Sequence, residues 1–294
     1  MAPLTRNKKL KLTITYQEEV LFNSDTLSKI ISYLPSVDLL SLAVTCRRLG
    51  VSDHNDQSLI EKSTHIAVQD IATEEELGTL PYYNGENSLA NYHYLQLMRG
   101  PLTFDQLVGP AEYTNSGDKS CVCNNTQYCW TSAFSDKILW AGQHYVSFQL
   151  YSELHASYML GVMRPGQANQ KARGVPTMRS FYRNFSQRLG GEHTNNNIHC
   201  CLYNSYDAHC ILSEWADRSN KVERWDGMEG MSSDGKIGML LDLEEGTLSV
   251  YKNGQKLGVM KRGLTGPYCW VASLYQGAQV TIEQGTMPPS LDEK

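Results

Sequence analysis

The sequence predicts an α+β chain of more than one domain, in which a small helical N-terminal domain precedes an antiparallel β-sandwich. Two patterns of apolar residues along the chain support this prediction. Between Ser24 and Leu49 the apolar residues recur at helical spacing, whereas after about Leu107 they alternate with polar residues between frequent turn residues. The chain has 294 residues, 41% hydrophobic and 19% charged, which is enough to bury a core in each part.

The predicted domain boundaries follow the same change of period. They are a basic N-terminal tail at 1–18, a helical domain at 19–66, a helical connector at 67–102, a β-sandwich at 103–288 and a C-terminal tail at 289–294. Within the segment at 67–102, residues 72–87 (ATEEELGTLPYYNGEN) are predicted to be a polar connector.

Charge and composition argue against several classes of protein. The net charge of -5 and the pI of about 5.9 disfavour a whole-chain partnership with nucleic acid or an acidic membrane. No apolar run approaches the ~18 residues of a membrane helix, and the start lacks the pattern of a signal peptide. The eight cysteines are therefore expected to stay reduced. We expect a cytoplasmic protein, with the basic run at 5–11 as a candidate nuclear address or a solvated terminus.

Three amphipathic helices are predicted, at 24–34, 38–49 and 88–99. Pro35 ends the first helix and Asp38 is predicted to cap the second. Leu40 and Val44 lie off the apolar face of the second helix, and so small a domain cannot bury two apolar faces by itself. They are expected to meet a binding partner or, alternatively, to pack on the third helix or on the sandwich.

Residues 236–260 predict a three-stranded meander. Asn253 and Gly254 are the two central residues that a type I′ hairpin prefers. With that loop, one face of the meander is predicted to hold the pairs Val250–Leu257 and Leu248–Val259, together with Met239 and Leu241.

Residues 21–50 (LFNSDTLSKIISYLPSVDLLSLAVTCRRLG) resemble an F-box. The family pattern is a helix ending in Leu, then Pro-x-x-Asp-Leu-Leu and an apolar helix leading to Cys-Arg-Arg, present here as Leu34, Pro35, Asp38, Leu39, Leu40, Cys46, Arg47 and Arg48. The resemblance implies a domain that docks on the Skp adaptor of a cullin-based ubiquitin ligase. It assigns the adaptor-facing positions to Leu21, Phe22, Leu34, Pro35, Leu39, Leu40 and Val44.

The β region is similar to a SPRY domain. The resemblance rests on WAGQHYVSFQL at 140–150, YMLGVM at 158–163, GKIGMLLDLEEGTLSVYKNGQKLG at 235–258 and the closing segments GPYCWVASL and GAQVTI. It implies a concanavalin-like or jelly-roll-like sandwich whose loops bind a protein or peptide. The combined resemblance implies a substrate receptor without catalytic residues, metal or cofactor, which reaches a cullin through the adaptor.

Substrate contacts are expected on loops, where Arg and aromatic side chains supply most interface energy. The candidate residues are Arg164, Tyr182, Arg183, Tyr203, Tyr206, Trp215 and Trp225. Packing in the core is the alternative for each aromatic residue, and we expect Trp140, Trp225 and Trp270 to pack there.

Other functions have weaker support in the sequence. His199, Cys200, Cys201, His209 and Cys210, with Cys121, Cys123 and Cys129, form the best metal-binding cluster, but none of them stands at a zinc-ligand spacing. Asp226 and Glu229 are the best pair of carboxylates for glycoside cleavage. We therefore keep two alternatives: a SPRY interaction module without a ligase role, and a jelly-roll protein that binds or cleaves sugars.

Overall fold

The structure is a computed structural model. It describes residues 23–31, 33–45, 47–50, 57–80, 88–115, 117–126, 129–152, 156–164, 198–214, 220–231 and 234–285. The chain divides into two compact units, Met1–Gly100 and Pro101–Lys294. No helix in these ranges is long and apolar enough to cross a membrane.

The first unit is helical. Its described helices are α1 (Ser24–Ile31), α2 (Ser36–Thr45), α3 (Arg47–Gly50), α4 (Leu59–Ile71), α5 (Glu74–Thr79) and α6 (Ser88–Arg99). The helix predicted at 88–99 is thus confirmed, and the helix predicted at 24–34 is confirmed over Ser24–Ile31. The cap predicted at Asp38 is wrong, because α2 begins two residues earlier and Asp38 lies inside its first turn, where its carboxylate still favours the helix dipole.

Helix α4 is the centre of this unit and packs against α1, α3 and α6. Its N-cap is Ser58, whose hydroxyl accepts a hydrogen bond from the backbone N–H of Glu61 at 3.2 Å. The buried side chains of the unit are Leu27, Ile31, Leu39, Leu49, Ile60, Ala67, Val68, Leu80, Tyr92, Tyr94 and Leu95. The predicted boundary at 66/67 lies inside α4, so the chain has no linker at that point.

Residues 72–80 of the predicted polar connector form part of this helical unit and contain α5, which was not among the predicted helices. Thr73 and Glu76 form a capping box at the start of α5. The Glu76 carboxylate also accepts two hydrogen bonds from Arg99, at 2.7 Å each. The hydrogen bonds from the Arg99 guanidinium, against an opposing effect of burial, lower the pKa of Glu76 to about 2. Residues 81–87 lie outside the described ranges.

The second unit contains fourteen described strands in two sheets. The strands are β1 (Gln106–Val108), β2 (Ala111–Asn115), β3 (Asp118–Asn124), β4 (Trp130–Phe134), β5 (Gln143–Ser152), β6 (Ser157–Met163), β7 (Ile198–Asn204), β8 (Cys210–Glu214), β9 (Asn220–Glu223), β10 (Gly235–Asp242), β11 (Thr247–Lys252), β12 (Gln255–Arg262), β13 (Cys269–Tyr275) and β14 (Ala278–Gln284). The strand orders are β1-β4-β13-β6-β7-β8-β9 in one sheet and β12-β11-β10-β5-β14-β3-β2 in the other. All described pairings are antiparallel, which confirms the predicted β-sandwich.

The two sheets enclose an apolar layer between them. Phe148 of β5 and Trp270 of β13 meet edge-to-face, with ring centroids 6.4 Å apart. Alternate residues of the central strands point into this layer and are fully buried, as Val146, Leu160 and Met239 illustrate. Trp270 therefore has the core position predicted for it, whereas Trp140 and Trp225 are only partly buried.

The meander is confirmed except for the register of its last strand. Asn253 and Gly254 form a two-residue loop with positive φ at both positions, and Met239 pairs with Val250. However, Val250 pairs with Gly258 rather than with Leu257, since β12 contains two bulges. The backbone of residues 226–227 contacts β12 there: a Cβ on Gly227 would lie 2.0 Å from the Leu257 carbonyl oxygen.

The segment at 102–105 leads the chain into the sandwich. Phe104 is fully buried, and its backbone N–H donates to the Lys119 carbonyl at 2.8 Å. Next to it, the Asp105 carboxylate accepts hydrogen bonds from Thr103 and Lys119, at 2.8 and 3.3 Å. Asp105 also shares a hydrogen bond with Asp136, and the largely buried ammonium of Lys137 adds a positive charge nearby.

The pKa values of these two carboxyl groups are shifted in opposite directions. Burial, together with the hydrogen bond and charge of Asp105, raises the pKa of Asp136 to about 6. Asp105 has the opposite shift: burial works to raise its pKa, but the hydrogen bonds from Asp136, Thr103 and Lys119 outweigh burial and lower it. Above about pH 6 both groups are therefore ionised and repel each other.

We predict that Asp136→Asn raises the melting temperature of the protein at pH 7.5. A carboxyl group whose pKa is raised by folding stabilises the fold at low pH, and this stabilisation is lost as the pH rises from about 4 to about 6. The Asn side chain keeps the shape but not the charge, so the gain should shrink as the pH falls to 5. Thermal unfolding between pH 5 and 8 checks this. A variant less stable than wild type at pH 7.5 would contradict the prediction.

Candidate functional site

An apolar stripe on α2 is the first candidate surface. Val37, Leu40 and Val44 stand at i, i+3 and i+7 and therefore share one side of the helix. Their side chains are 58%, 54% and 76% exposed, although all three are aliphatic. Leu39 lies on a different side of the helix and is buried. The three exposed residues, named the α2 stripe below, are thus at most partly covered by the described residues of the helical unit.

The predicted adaptor-facing residues fall into three groups in the structure. Leu40 and Val44 are exposed on the α2 stripe, and Pro35 is exposed just before it, while Leu34 is half-buried. Leu39 is buried in the helical core, so we correct its role from contact residue to core residue. Leu21 and Phe22 lie outside the described residues. Val37 was not predicted, although its spacing from Leu40 and Val44 is visible in the sequence.

The turn between β7 and β8, residues 205–209, is the second candidate surface and is named the β7–β8 turn below. At its tip Tyr206 is 83% exposed. The Asn204 side-chain oxygen accepts a hydrogen bond from the Tyr206 backbone N–H at 3.0 Å, and the Asn204 carbonyl accepts one from Ala208 at 2.8 Å. Ala208 has φ of 59°, a left-handed conformation that persists in a non-glycine residue only where its surroundings hold it.

Residues 225–231 supply those surroundings. The Trp225 indole N–H donates to the Ala208 carbonyl at 2.7 Å, and the Met231 backbone N–H donates to the Ser205 carbonyl at 2.7 Å. The Tyr203 hydroxyl donates to the Glu229 carbonyl at 2.6 Å. The β7–β8 turn is therefore held from several directions and presents Tyr206 at low entropic cost to a partner.

The other predicted substrate-binding residues are mostly structural or not described. Tyr203 is fully buried, and burial raises the pKa of its phenol, so we reassign it to the core. Trp225 is half-buried and supports the β7–β8 turn. Tyr182, Arg183 and Trp215 lie outside the described residues, so their predicted role stays a prediction. Tyr206 alone among the described candidates has the exposure of a contact residue.

Arg164 is also buried and is reassigned to a structural role. Its guanidinium lies over the Tyr268 ring, 4.8 Å from the centroid, and donates to the Thr265 carbonyl. Burial raises the pKa of Tyr268 to about 12, although the Arg164 charge works in the opposite direction. This stacked pair holds the end of β6 against the loop before β13.

The residues considered for metal or acid–base chemistry are placed as follows. The Cys201 and Cys210 sulfur atoms lie 3.6 Å apart and fully buried; burial, and then the neighbouring Cys210, raises the pKa of Cys201, so its thiol stays protonated. Glu229 forms an ion pair with Lys252, while Asp226 is exposed. Within the described ranges, no three His, Cys, Asp or Glu side chains come together as metal ligands. Of His199 the structure describes only the backbone.

The comparisons with known proteins bear on the sandwich. No protein-family model matches the sequence, and no curated protein matches it. The chain is similar to the crystal structure of the SPRY domain of human HERC1, with 13% identity over 60% of this chain and 96% of that chain and a TM-score of 0.39. It is also similar to the TRIM65 PSpry domain, with 20% identity over 64% of this chain and 93% of that chain and a TM-score of 0.41. At this level of similarity neither structure indicates a ligand for this chain.

We predict that the same substitution has effects of different size on stability at two tyrosines three residues apart in the chain. Tyr203→Phe removes a buried hydrogen bond and should lower the free energy of unfolding by about 1–2 kcal/mol. Tyr206→Phe removes a hydroxyl from a side chain that is 83% exposed and should change it by less than about 0.5 kcal/mol. Denaturant unfolding of both variants measures the difference. Equal effects would contradict the assignment of Tyr203 to the core and of Tyr206 to the surface.

Proposed function

We propose that this protein is a non-catalytic substrate receptor of a cullin-based ubiquitin ligase. In this proposal the helical unit is an F-box that binds a Skp-family adaptor, and through it a cullin. The sandwich is a SPRY domain that binds a protein substrate through its loops. Ubiquitin transfer is carried out by other subunits, so the chain needs no catalytic residue and no cofactor.

The exposed α2 stripe is the observation that carries the proposal. Three aliphatic side chains at helical spacing would lose most of their contact with water in a complex, and burial of such side chains contributes about 1.5–3 kcal/mol each when it is complete. The alternative expectation that Leu40 and Val44 pack on the helix at 88–99 is disfavoured by their exposures of 54% and 76%. The stripe also lies within the segment that resembles the F-box, directly after Pro35.

The two sides of α2 have different roles in this proposal. Leu39 is buried and attaches the helix to the rest of the unit, whereas Leu40 is the next residue and points outward. Adjacent leucines in the family's Asp-Leu-Leu pattern therefore have different roles in this chain. A helix that offers an apolar face to a partner is a common mode of recognition between proteins.

The β7–β8 turn supports the substrate-binding half of the proposal. Interface energy concentrates in a few aromatic or Arg side chains that are held in place before binding. Tyr206 meets both conditions, since it is exposed and its backbone is fixed by Asn204 and by residues 225–231. A receptor would use such a residue as an anchor in a pocket of its substrate.

We predict that Leu40→Asp combined with Val44→Asp abolishes adaptor binding. Desolvating two carboxylates in an apolar interface costs several kcal/mol, so affinity should fall by at least about 100-fold. The measurement is calorimetric titration of the purified chain with a purified Skp-family adaptor, with circular dichroism to verify folding.

The matched control for this pair is His65→Asp with Gln69→Asp. These residues are exposed and stand at the same i, i+4 spacing on α4, so the control adds two carboxylates away from the α2 stripe. It should bind the adaptor with nearly wild-type affinity. Unaltered binding of the Leu40 and Val44 variant, in a folded protein, would overturn the proposal.

A further prediction concerns the substrate. Affinity purification from the native cell, read by mass spectrometry, should recover proteins with the wild-type chain that are lost with Tyr206→Ala. Tyr206→Phe should keep most of them, because the ring supplies most of the contact area. Recovery of the same proteins with all three chains would exclude the β7–β8 turn as the substrate-binding surface.

A protein-interaction module without a ligase role is the second candidate function. The β7–β8 turn favours it equally, since Tyr206 and its supports all belong to the second unit. The adaptor titration separates the two functions. A monodisperse wild-type chain that takes up no adaptor favours the module.

A further inference from the structure

The turn between α1 and α2, described at residues 33–35, is held by a helix distant in sequence. Three side chains of α6, at positions 92, 93 and 96, contact the backbone or side chains around this turn. They stand at i, i+1 and i+4 and so share one side of α6. None of them belongs to the segment at 21–50 that resembles an F-box.

Each of these contacts adds a hydrogen bond to the backbone at or next to a helix end. The Tyr92 hydroxyl donates to the Ile31 carbonyl at 2.9 Å, at the C-terminus of α1. The Gln96 amide nitrogen donates to the Leu34 carbonyl at 3.2 Å, and its oxygen accepts from the Ser36 backbone N–H at 2.8 Å. One glutamine side chain thus bridges the turn and the first residue of α2.

A third contact completes the set. The Ser36 hydroxyl oxygen lies 2.7 Å from Nδ1 of His93. Ser36 is buried, and it precedes Val37 of the α2 stripe. The start of α2 is therefore held by two side chains of α6.

Helix α6 is itself anchored at both ends. At its N-terminus the Glu61 carboxylate accepts hydrogen bonds from the backbone N–H groups of Ser88 and Leu89, at 2.7 and 3.4 Å. At its C-terminus Arg99 donates to the Ile71 carbonyl and to Glu76. The anchors connect α6 to α4 and α5, so α6 forms a fixed support for the turn.

We infer that α6 is a positioning element of the adaptor-binding surface and that Gln96 is its principal positioning residue. The direction of the α2 stripe depends on the angle at which α2 leaves the turn. Gln96 fixes this angle because it forms hydrogen bonds to Leu34 in the turn and to Ser36 at the start of α2. The functional docking unit therefore extends to residue 99. This inference rests on the proposed adaptor binding and adds to it residues that do not contact the adaptor.

The experiment compares full-length variants in the calorimetric titration with a Skp-family adaptor. Gln96→Ala removes both hydrogen bonds and should weaken adaptor binding about tenfold. Gln96→Glu keeps the acceptor for Ser36 but loses the donor to Leu34, so its affinity should fall between that of wild type and that of Gln96→Ala. Gln69→Ala is the matched control: it removes an exposed glutamine from α4 and should leave the affinity unchanged.

A double-mutant cycle separates positioning from general destabilisation. If Gln96 acts through the α2 stripe, Gln96→Ala should weaken binding less in a Leu40→Ala background than in the wild-type background. If Gln96 only stabilises the unit, the folded variants will bind the adaptor with equal affinity and differ only in melting temperature. That result would overturn the inference. Should Gln96→Ala fail to fold, Gln96→Glu and Tyr92→Phe provide the same comparison.

The possible failures are distinguishable. Loss of adaptor binding already in the wild-type chain would overturn the proposed ligase role together with this inference. Wild-type binding with equal affinity for every folded Gln96 variant would overturn the inference alone.

Discussion

The apolar layer between the two sheets is the constraint on which the sandwich depends. Phe148 and Trp270 meet across it, and the alternation of buried and outward residues along each central strand follows from it. Because a shift of one residue would turn each inward side chain to the opposite face, this layer also specifies the register of the strands. The loops at the strand ends then start from fixed positions, which is the condition for a loop to recognise a partner.

The β7–β8 turn illustrates how such a scaffold holds a contact residue. Tyr203 is fixed in the core, and its hydroxyl reaches the segment at 225–231. That segment in turn holds Ala208 in a left-handed conformation through the Trp225 indole. Tyr206 is exposed between two residues whose positions are thereby determined. The core residue Tyr203 and the contact residue Tyr206 are both tyrosines and stand only three positions apart, so residue type alone does not distinguish their roles.

A different constraint applies to the helical unit. It is too small to bury two faces of α2, so one face attaches the helix and the other remains exposed. The angle between α1 and α2 is then set by polar side chains from α6, and α6 is held by Glu61, Glu76 and Arg99. A surface of three aliphatic residues thus depends on a network of hydrogen bonds from three other helices.

The local sequence determined those elements that depend only on residues close together in the chain. Alternating apolar residues predicted β5, β10 and β11, and the Asn253–Gly254 pair predicted its hairpin, because a two-residue I′ loop requires positive φ at both positions. Pro35 likewise separated two helices. The capping box of Thr73 and Glu76 was also visible in the sequence, so α5 could have been predicted.

Only the tertiary structure decided which side chains face a partner. The bulges of β12 accompany a contact with residues 226–227, which sequence periodicity does not contain. Leu39 and Leu40 look equivalent in the sequence, yet one is buried and the other exposed because α2 packs on one side only. Gln96 gains its role from a turn about sixty residues away. Spacing along the chain predicts faces and turns, whereas exposure depends on contacts between segments that the chain brings together only on folding.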